Sequence, residues 1–255
     1  MNNRHALHTL PRGMLAVAHR GYSARYPENT LLAQEKALDI GCPAIEADVR
    51  RSKDGVFFCQ HDETLLRLGG DASPVSELSW EDICGRLPRR PALLAASLRL
   101  ARERGALALL DVKITHRRDL EALAAFVAES GTARHVVIGV RRIEDMDIFR
   151  QPLPEAIFLG LIEEAPRLAE EFYQAGGHIL RLWEEDIAAC SALPAVCAGR
   201  PFWVTAGGRA PARVGNTDAA GLARCKELGA GGLLVNDPLG LFFPDIPKRR
   251  ALCLC

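Results

Sequence analysis

Three short motifs near the start of the chain gather residues that can do chemistry together: His19-Arg20-Gly21, Glu46-Ala47-Asp48 and His61-Asp62. Glu46 and Asp48 lie two apart in an apolar run that reads as strand. Successive strand side chains alternate, so both carboxylates point to one face. Two carboxylates a few ångströms apart repel strongly unless something positive stands between them. A hard divalent cation, Mg²⁺ or Ca²⁺, suits that place because it takes oxygen ligands and needs only one or two carboxylates. The two imidazoles add groups able to accept and donate protons near neutral pH.

The elements that position these residues alternate along the chain. Apolar, β-leaning runs fall at Leu15–His19, Ala44–Val49, Ala108–Val112, Val136–Val140, Ile157–Leu161, His178–Leu182, Phe202–Thr205 and Gly232–Val235. Helical patterns lie between or after them at Leu31–Ile40, Ala92–Arg104, Leu120–Glu129, Ile143–Arg150, Pro166–Ala175, Ile187–Cys197 and Ala219–Leu228. Continuous apolar strands are those covered on both faces, as in parallel sheets. The alternation predicts a (β/α)8 TIM-type barrel forming one domain over residues 1–255, although a doubly wound open sheet satisfies it too. Asn29 or Thr30 can cap the first helix and Asp218 the last. Asp54-Gly55 predicts a tight turn in a small hairpin that presents His61. A small insertion is expected after the second strand, over about 56–91, with a short helix near Trp80–Cys84.

A barrel collects function at the C-terminal ends of its strands. Polar candidates close the apolar runs as that rule requires: His19 and Arg20 on the first, Glu46 and Asp48 on the second, Asp111 and Lys113 on the third. Trp183 and Glu184 close the sixth run, and Trp203 and Thr205 lie on the seventh.

In this order and spacing, His19-Arg20-Gly21, Pro27-Glu28-Asn29-Thr30, Glu46-Ala47-Asp48, Asp54-Gly55 and His61-Asp62 resemble the glycerophosphodiester phosphodiesterase family. The resemblance is dense over Ala16–Leu66 and returns near Trp203 and Gly229–Leu239. It implies metal-dependent hydrolysis of glycerophosphodiesters to sn-glycerol 3-phosphate and an alcohol. Glu46, Asp48 and Asp111 would be the metal ligands, with Asp111 standing where the family carries Glu. His19 and His61 would share the proton transfers, His19 as base and His61 as acid. Arg20, Lys113 and Trp203 would contact the substrate. The seventh strand departs from the family's Trp-Thr-Val-Asn, reading Trp203-Val204-Thr205-Ala206. Two other readings keep the same barrel: a lysophospholipase D-like or phosphatidylinositol phospholipase-like activity, which needs an apolar entrance, and a non-catalytic phosphate-binding protein.

The bulk composition fits a small-molecule partner. Lys plus Arg and Asp plus Glu both number 32 in the 255 residues, so no net field draws nucleic acid or anionic membrane. Met1–Met14 lacks the apolar run of an export signal, and no stretch approaches the ~20 apolar residues of a spanning helix. A cytoplasmic protein is expected. Its eight cysteines read as free thiols, and Cys253-Leu254-Cys255 lacks partners for a zinc site.

Overall fold

Eight parallel strands close into a barrel in the computed structural model, which describes residues 13–243 apart from Ser191. His5, His8, Cys253, Cys255 and most of the Met1–Met14 stretch lie outside the described residues. The barrel strands are β1 (Leu15–Ala18), β2 (Ala44–Arg51), β3 (Leu107–Val112), β4 (Val136–Val140), β5 (Ile157–Gly160), β6 (Ile179–Trp183), β7 (Phe202–Thr205) and β8 (Gly232–Val235). Each pairs with the next, and β1 pairs with both β8 and β2, which closes the ring and excludes the open sheet. One principal α-helix follows every strand: α1 (Leu31–Asp39), α2 (Leu94–Glu103), α3 (Arg117–Glu129), α4 (Met146–Arg150), α5 (Ala165–Gln174), α6 (Glu184–Ala189), α7 (Ala219–Glu227) and α8 (Pro238–Phe242). Thr30 caps α1 and Asp218 caps α7 through their side chains. Among the described residues no helix is long and apolar enough to cross a membrane.

The strand period divides the core in two. One set of alternate residues packs outward against the helices, among them Ile45, Leu110, Ile138, Phe158 and Val204. The other set fills the barrel, among them Val17, Leu109, Leu159, Trp203 and Leu234. Burying such side chains stabilises the fold by about 1.5–3 kcal/mol each. The inward-facing column turns polar one step higher. Val17 is followed by His19, Leu109 by Asp111, Ile179 by Arg181 and Leu234 by Asn236. The apolar floor therefore sets the height at which polar groups meet.

Between β2 and α2 the chain makes its insertion. Residues Phe57–Cys59 run back antiparallel to β2 through a turn in which Gly55 has φ +88°. A two-stranded ribbon (Thr64–Leu65 with Asp71–Pro74), a helical turn at Leu66–Gly69 and a helix at Trp80–Arg86 follow. Phe58, Leu65, Val75, Leu78, Trp80 and Ile83 give the segment its own small core. The helix expected over Ile187–Cys197 is two pieces instead, α6 and a 3-10 turn at Leu193–Cys197. Pro194 lacks the N–H that a continuous α-helix needs there.

Candidate active site

The loop after β1 takes left-handed backbone at two consecutive positions, Arg20 and Gly21, and again at Asn29. Gly21 has φ +80°, and a Cβ there would come within 2.6 Å of the Ala33 carbonyl carbon. Only glycine lets the loop lie this close to α1. Arg20 itself has φ +58°, which aims its backbone N–H at Glu46 Oε2, 2.8 Å away. Its guanidinium reaches Glu28 at 3.0 Å and Asp48 at 3.2 Å. Asn29, also at positive φ, donates to Asp48 Oδ2 and accepts from the Asp48 N–H. The cap role offered to Asn29 or Thr30 thus fell to Thr30, which freed Asn29 to hold Asp48.

Glu46, Asp48 and Asp111 converge at the mouth, each with an oxygen within 4.8 Å of the other two. Lys113 Nζ lies 2.6 Å from Asp111 and 3.1 Å from Asp48. Arg141, beyond the end of β4, spans both Asp111 oxygens at 2.8 and 2.9 Å. The acids divide electrostatically. Burial, reinforced by Asp48 and Asp111, pushes the Glu46 carboxyl well above its usual range. Burial opposes ionisation of Asp48 as well, but Lys113 and Arg20 hold its carboxyl well below the usual range. Lys113 and Arg141 likewise outweigh burial to lower Asp111. An all-oxygen acidic donor set, with one carboxyl resisting ionisation because its neighbours are negative, is chemistry that fits a hard divalent cation.

The two imidazoles stand at the same mouth with different partners. His19 Nδ1 lies 2.7 Å from Asn236 Oδ1. The Asn236 amide nitrogen donates to the Val214 carbonyl at 2.8 Å, so its oxygen must be the atom facing the ring. His19 therefore carries its proton on Nδ1 and leaves Nε2 with a free lone pair. Burial, with Arg20 beside it, lowers the His19 pKa to about 4, so the ring is neutral at physiological pH. His61 is presented by the insertion. Arg50 holds its carbonyl at 2.8 and 3.1 Å, and Asp62 faces Nδ1 at 2.8 Å. Arg67, from the Leu66–Gly69 turn, bridges Asp62 and Glu28, and Glu28 returns to Arg20. Both histidine loops are thereby tied into one ion-pair chain.

Seven of the eight sequence-derived candidates line one cavity of about 800 Å³: His19, Arg20, Glu46, Asp48, His61, Asp111 and Lys113. Trp203 is the exception and is corrected here. It sits one layer down, 1 % exposed among the interior apolar residues, with its ring against Gly232. Its ring does not reach the cavity wall, where Trp183 from β6 stands instead. Glu184 is not on the wall either; it accepts from the Gly207 N–H and the Thr217 hydroxyl. Asn29, Arg141, Arg181 and Asn236 were not singled out as site residues from sequence. For Asn29 the available sign was its place in the Pro27-Glu28-Asn29-Thr30 turn; for the other three it was a polar residue in or just after an apolar run, in phase with the inward-facing set.

Fold and mouth together define a (β/α)8 barrel whose strand ends carry a cation-fitting acidic cluster beside two imidazoles. Residues 19–99 match the model of the glycerophosphoryl diester phosphodiesterase family. The chain is 41 % identical over 69 residues to a glycerophosphodiester phosphodiesterase of Caldanaerobacter subterraneus subsp. tengcongensis, a match covering 27 % of this chain and 28 % of that relative. The alignment to such curated relatives thus spans about a quarter of their length. Over most of the chain the likeness is one of fold. A putative glycerophosphodiester phosphodiesterase of Galdieria sulphuraria superposes with TM-score 0.74 at 18 % identity, over 90 % of this chain and 97 % of that one. An Oleispira antarctica phosphodiesterase, solved with the product sn-glycerol-3-phosphate, superposes with TM-score 0.71 at 17 % identity, over 97 % and 98 %. The first part of the chain is thus similar to the glycerophosphodiester phosphodiesterase family, and the fold of the whole is similar to that of its solved structures.

Proposed function

We propose that this protein hydrolyses glycerophosphodiesters to sn-glycerol 3-phosphate and an alcohol, using a divalent cation and two histidines. The observation that carries the reading is the meeting of His19 and His61 with Glu46, Asp48 and Asp111 in one cavity. A phosphodiester anion repels nucleophiles, so its hydrolysis needs charge neutralisation and managed protons. Mg²⁺ or Ca²⁺ held by the three carboxylates would supply Lewis-acid neutralisation of the phosphate oxygens. Arg20 and Lys113 add fixed positive charge beside them, Arg20 as a planar fork and Lys113 as a point charge.

The proton roles follow from the partners of the two rings. His19, neutral with a lone pair on Nε2, takes the proton from the attacking hydroxyl. That hydroxyl belongs to water, or to the neighbouring glycerol carbon by way of a cyclic phosphate. As the phosphorus–oxygen bond to the alcohol breaks, His61 Nε2 gives that oxygen its proton. Asp62 stands against Nδ1 as counter-charge to the imidazolium this role requires. Removing Asn236 tests the positioning of His19. Asn236→Ala should lower kcat by about 10²-fold through a misplaced ring, with KM little changed. A fall in KM-limited binding alone, with kcat intact, would contradict that role.

The wall is dominated by charged side chains, which supports a polar diester over a lysophospholipid. The intact imidazole pair favours an enzyme over a phosphate-binding protein. The direct test is an enzyme-coupled measurement of sn-glycerol 3-phosphate released from a panel of glycerophosphodiesters. Release from at least one head group is expected, and release from none would overturn the proposal.

A further inference from the structure

Across the barrel from β2, on β6, one cation of the mouth stands apart from the acidic cluster. Arg181 is 3 % exposed, yet it lines the cavity. Its Nε and Nη1 are buried with no hydrogen-bond partner, and Nη2 comes no closer than 4.0 Å to Glu163, a largely exposed carboxylate. The other basic groups of the wall fare differently. Arg20, Lys113 and Arg141 each contact the acidic cluster, Arg50 donates twice to the His61 carbonyl, Arg67 bridges Asp62 and Glu28, and Arg209 pairs with Glu185 and Asp186. Trp183 supports the Arg181 guanidinium, whose carbon lies 4.3 Å from the ring centroid. A buried, poorly neutralised guanidinium is costly to fold around and is retained where an anion completes it.

On the hydrolytic reading the phosphate would meet Arg20, Lys113 and a cation held by the acidic cluster, all on the β1–β3 side. A cavity of about 800 Å³ leaves ample room for the remainder of a diester beyond it. Resting on the hydrolytic reading above, we propose that Arg181 is a specificity residue that binds a carboxylate on the head-group alcohol, so that the preferred substrates carry an amino-acid alcohol such as serine. Planar guanidinium–carboxylate pairing supplies the attraction. Glu163, next to Arg181 at the rim, is placed to meet the ammonium of the same group. A quaternary ammonium head group is disfavoured, because the wall's Trp183 already holds two guanidiniums against its ring, those of Arg181 and Arg209.

The matched pair glycerophosphoserine and glycerophosphoethanolamine differs only in that carboxylate. For the wild-type protein, kcat/KM should favour the serine diester by at least about tenfold, the scale of one charge-assisted pair. Arg181→Gln should bring the ratio close to one, and Arg181→Lys should restore part of it. A merely structural arginine would depress both substrates alike and leave the ratio standing, which would overturn the assignment. Equal wild-type turnover of the two diesters would overturn it without any variant and leave the phosphodiesterase reading intact. Turnover of neither, while another glycerophosphodiester of the panel is hydrolysed, would overturn this inference alone, and turnover of none of the panel would remove the phosphodiesterase reading with it.

Discussion

His19→Ala and His61→Ala should each reduce kcat by about 10²–10⁴-fold, the range a positioned acid or base contributes. Steady-state turnover measured beside a thermal melt separates this loss from unfolding. The two losses should differ in kind. His19 is buried and bonded to Asn236, so its removal takes one of two partners from the Asn236 oxygen, leaving the Ser23 hydroxyl, and costs about 1 kcal/mol. His61 is partly exposed on the insertion, and its removal should leave the melt nearly unchanged. Its variant should also retain more activity toward a diester with a good leaving group, such as a nitrophenyl ester, because that departure needs no protonation. A His61 variant impaired equally on both substrates would not be missing an acid, and the roles above would then be wrong.

The two carboxylates of the Glu46-Ala47-Asp48 motif should separate by the sign of their effect on stability. Asp48 is the buried counter-charge of Arg20 and Lys113. Asp48→Asn takes one counter-charge from each of two buried cations, leaving Arg20 to Glu28 and Lys113 to Asp111, an effect of about 3 kcal/mol. In a chain this size that is a fall of roughly 10 °C in Tm. Glu46 is in the opposite position: its carboxyl is raised by burial and by its acidic neighbours. In the metal-free protein the folded form holds that proton in a pH range where the unfolded chain has lost it, so stability falls as pH rises through the window. Glu46→Gln removes this penalty, and the glutamine oxygen can still accept from the Arg20 N–H. Metal-free Glu46→Gln should therefore melt at or above the wild-type temperature near neutral pH. Both variants should nevertheless lose turnover, since each deletes a negative charge from the cluster. Melts of the metal-free proteins across pH decide this; equal destabilisation by the two substitutions would contradict the electrostatic assignment.

The barrel was legible because its strands are short apolar runs and its helices have capping residues, and Thr30 and Asp218 cap as read. The first-quarter motifs were legible because they are local: a turn, a strand end and a hairpin fix His19, Glu46, Asp48 and His61 within a short span of chain. What lay beyond reach depended on parity across distant strands. Arg181 sits inside a run read as strand, and Asn236 just after another. Only the closed register shows that they face inward at the height of His19. Trp203 shares that inward parity but sits a layer below the mouth, and its place in a resembling motif said nothing of its depth. Proline 194 was visible in the sequence and still overridden by the helical pattern around it, although a residue without an N–H can open such a helix but not extend it.

The central claim is that Glu46, Asp48 and Asp111 hold a divalent cation on which the two histidines depend. The measurement that addresses it most directly is release of sn-glycerol 3-phosphate by protein stripped with a chelator, followed as Mg²⁺ or Ca²⁺ is added back. The stripped protein should show no turnover, one of the two ions should restore it, and Glu46→Gln should not recover with either. Full turnover by the stripped protein would contradict the claim.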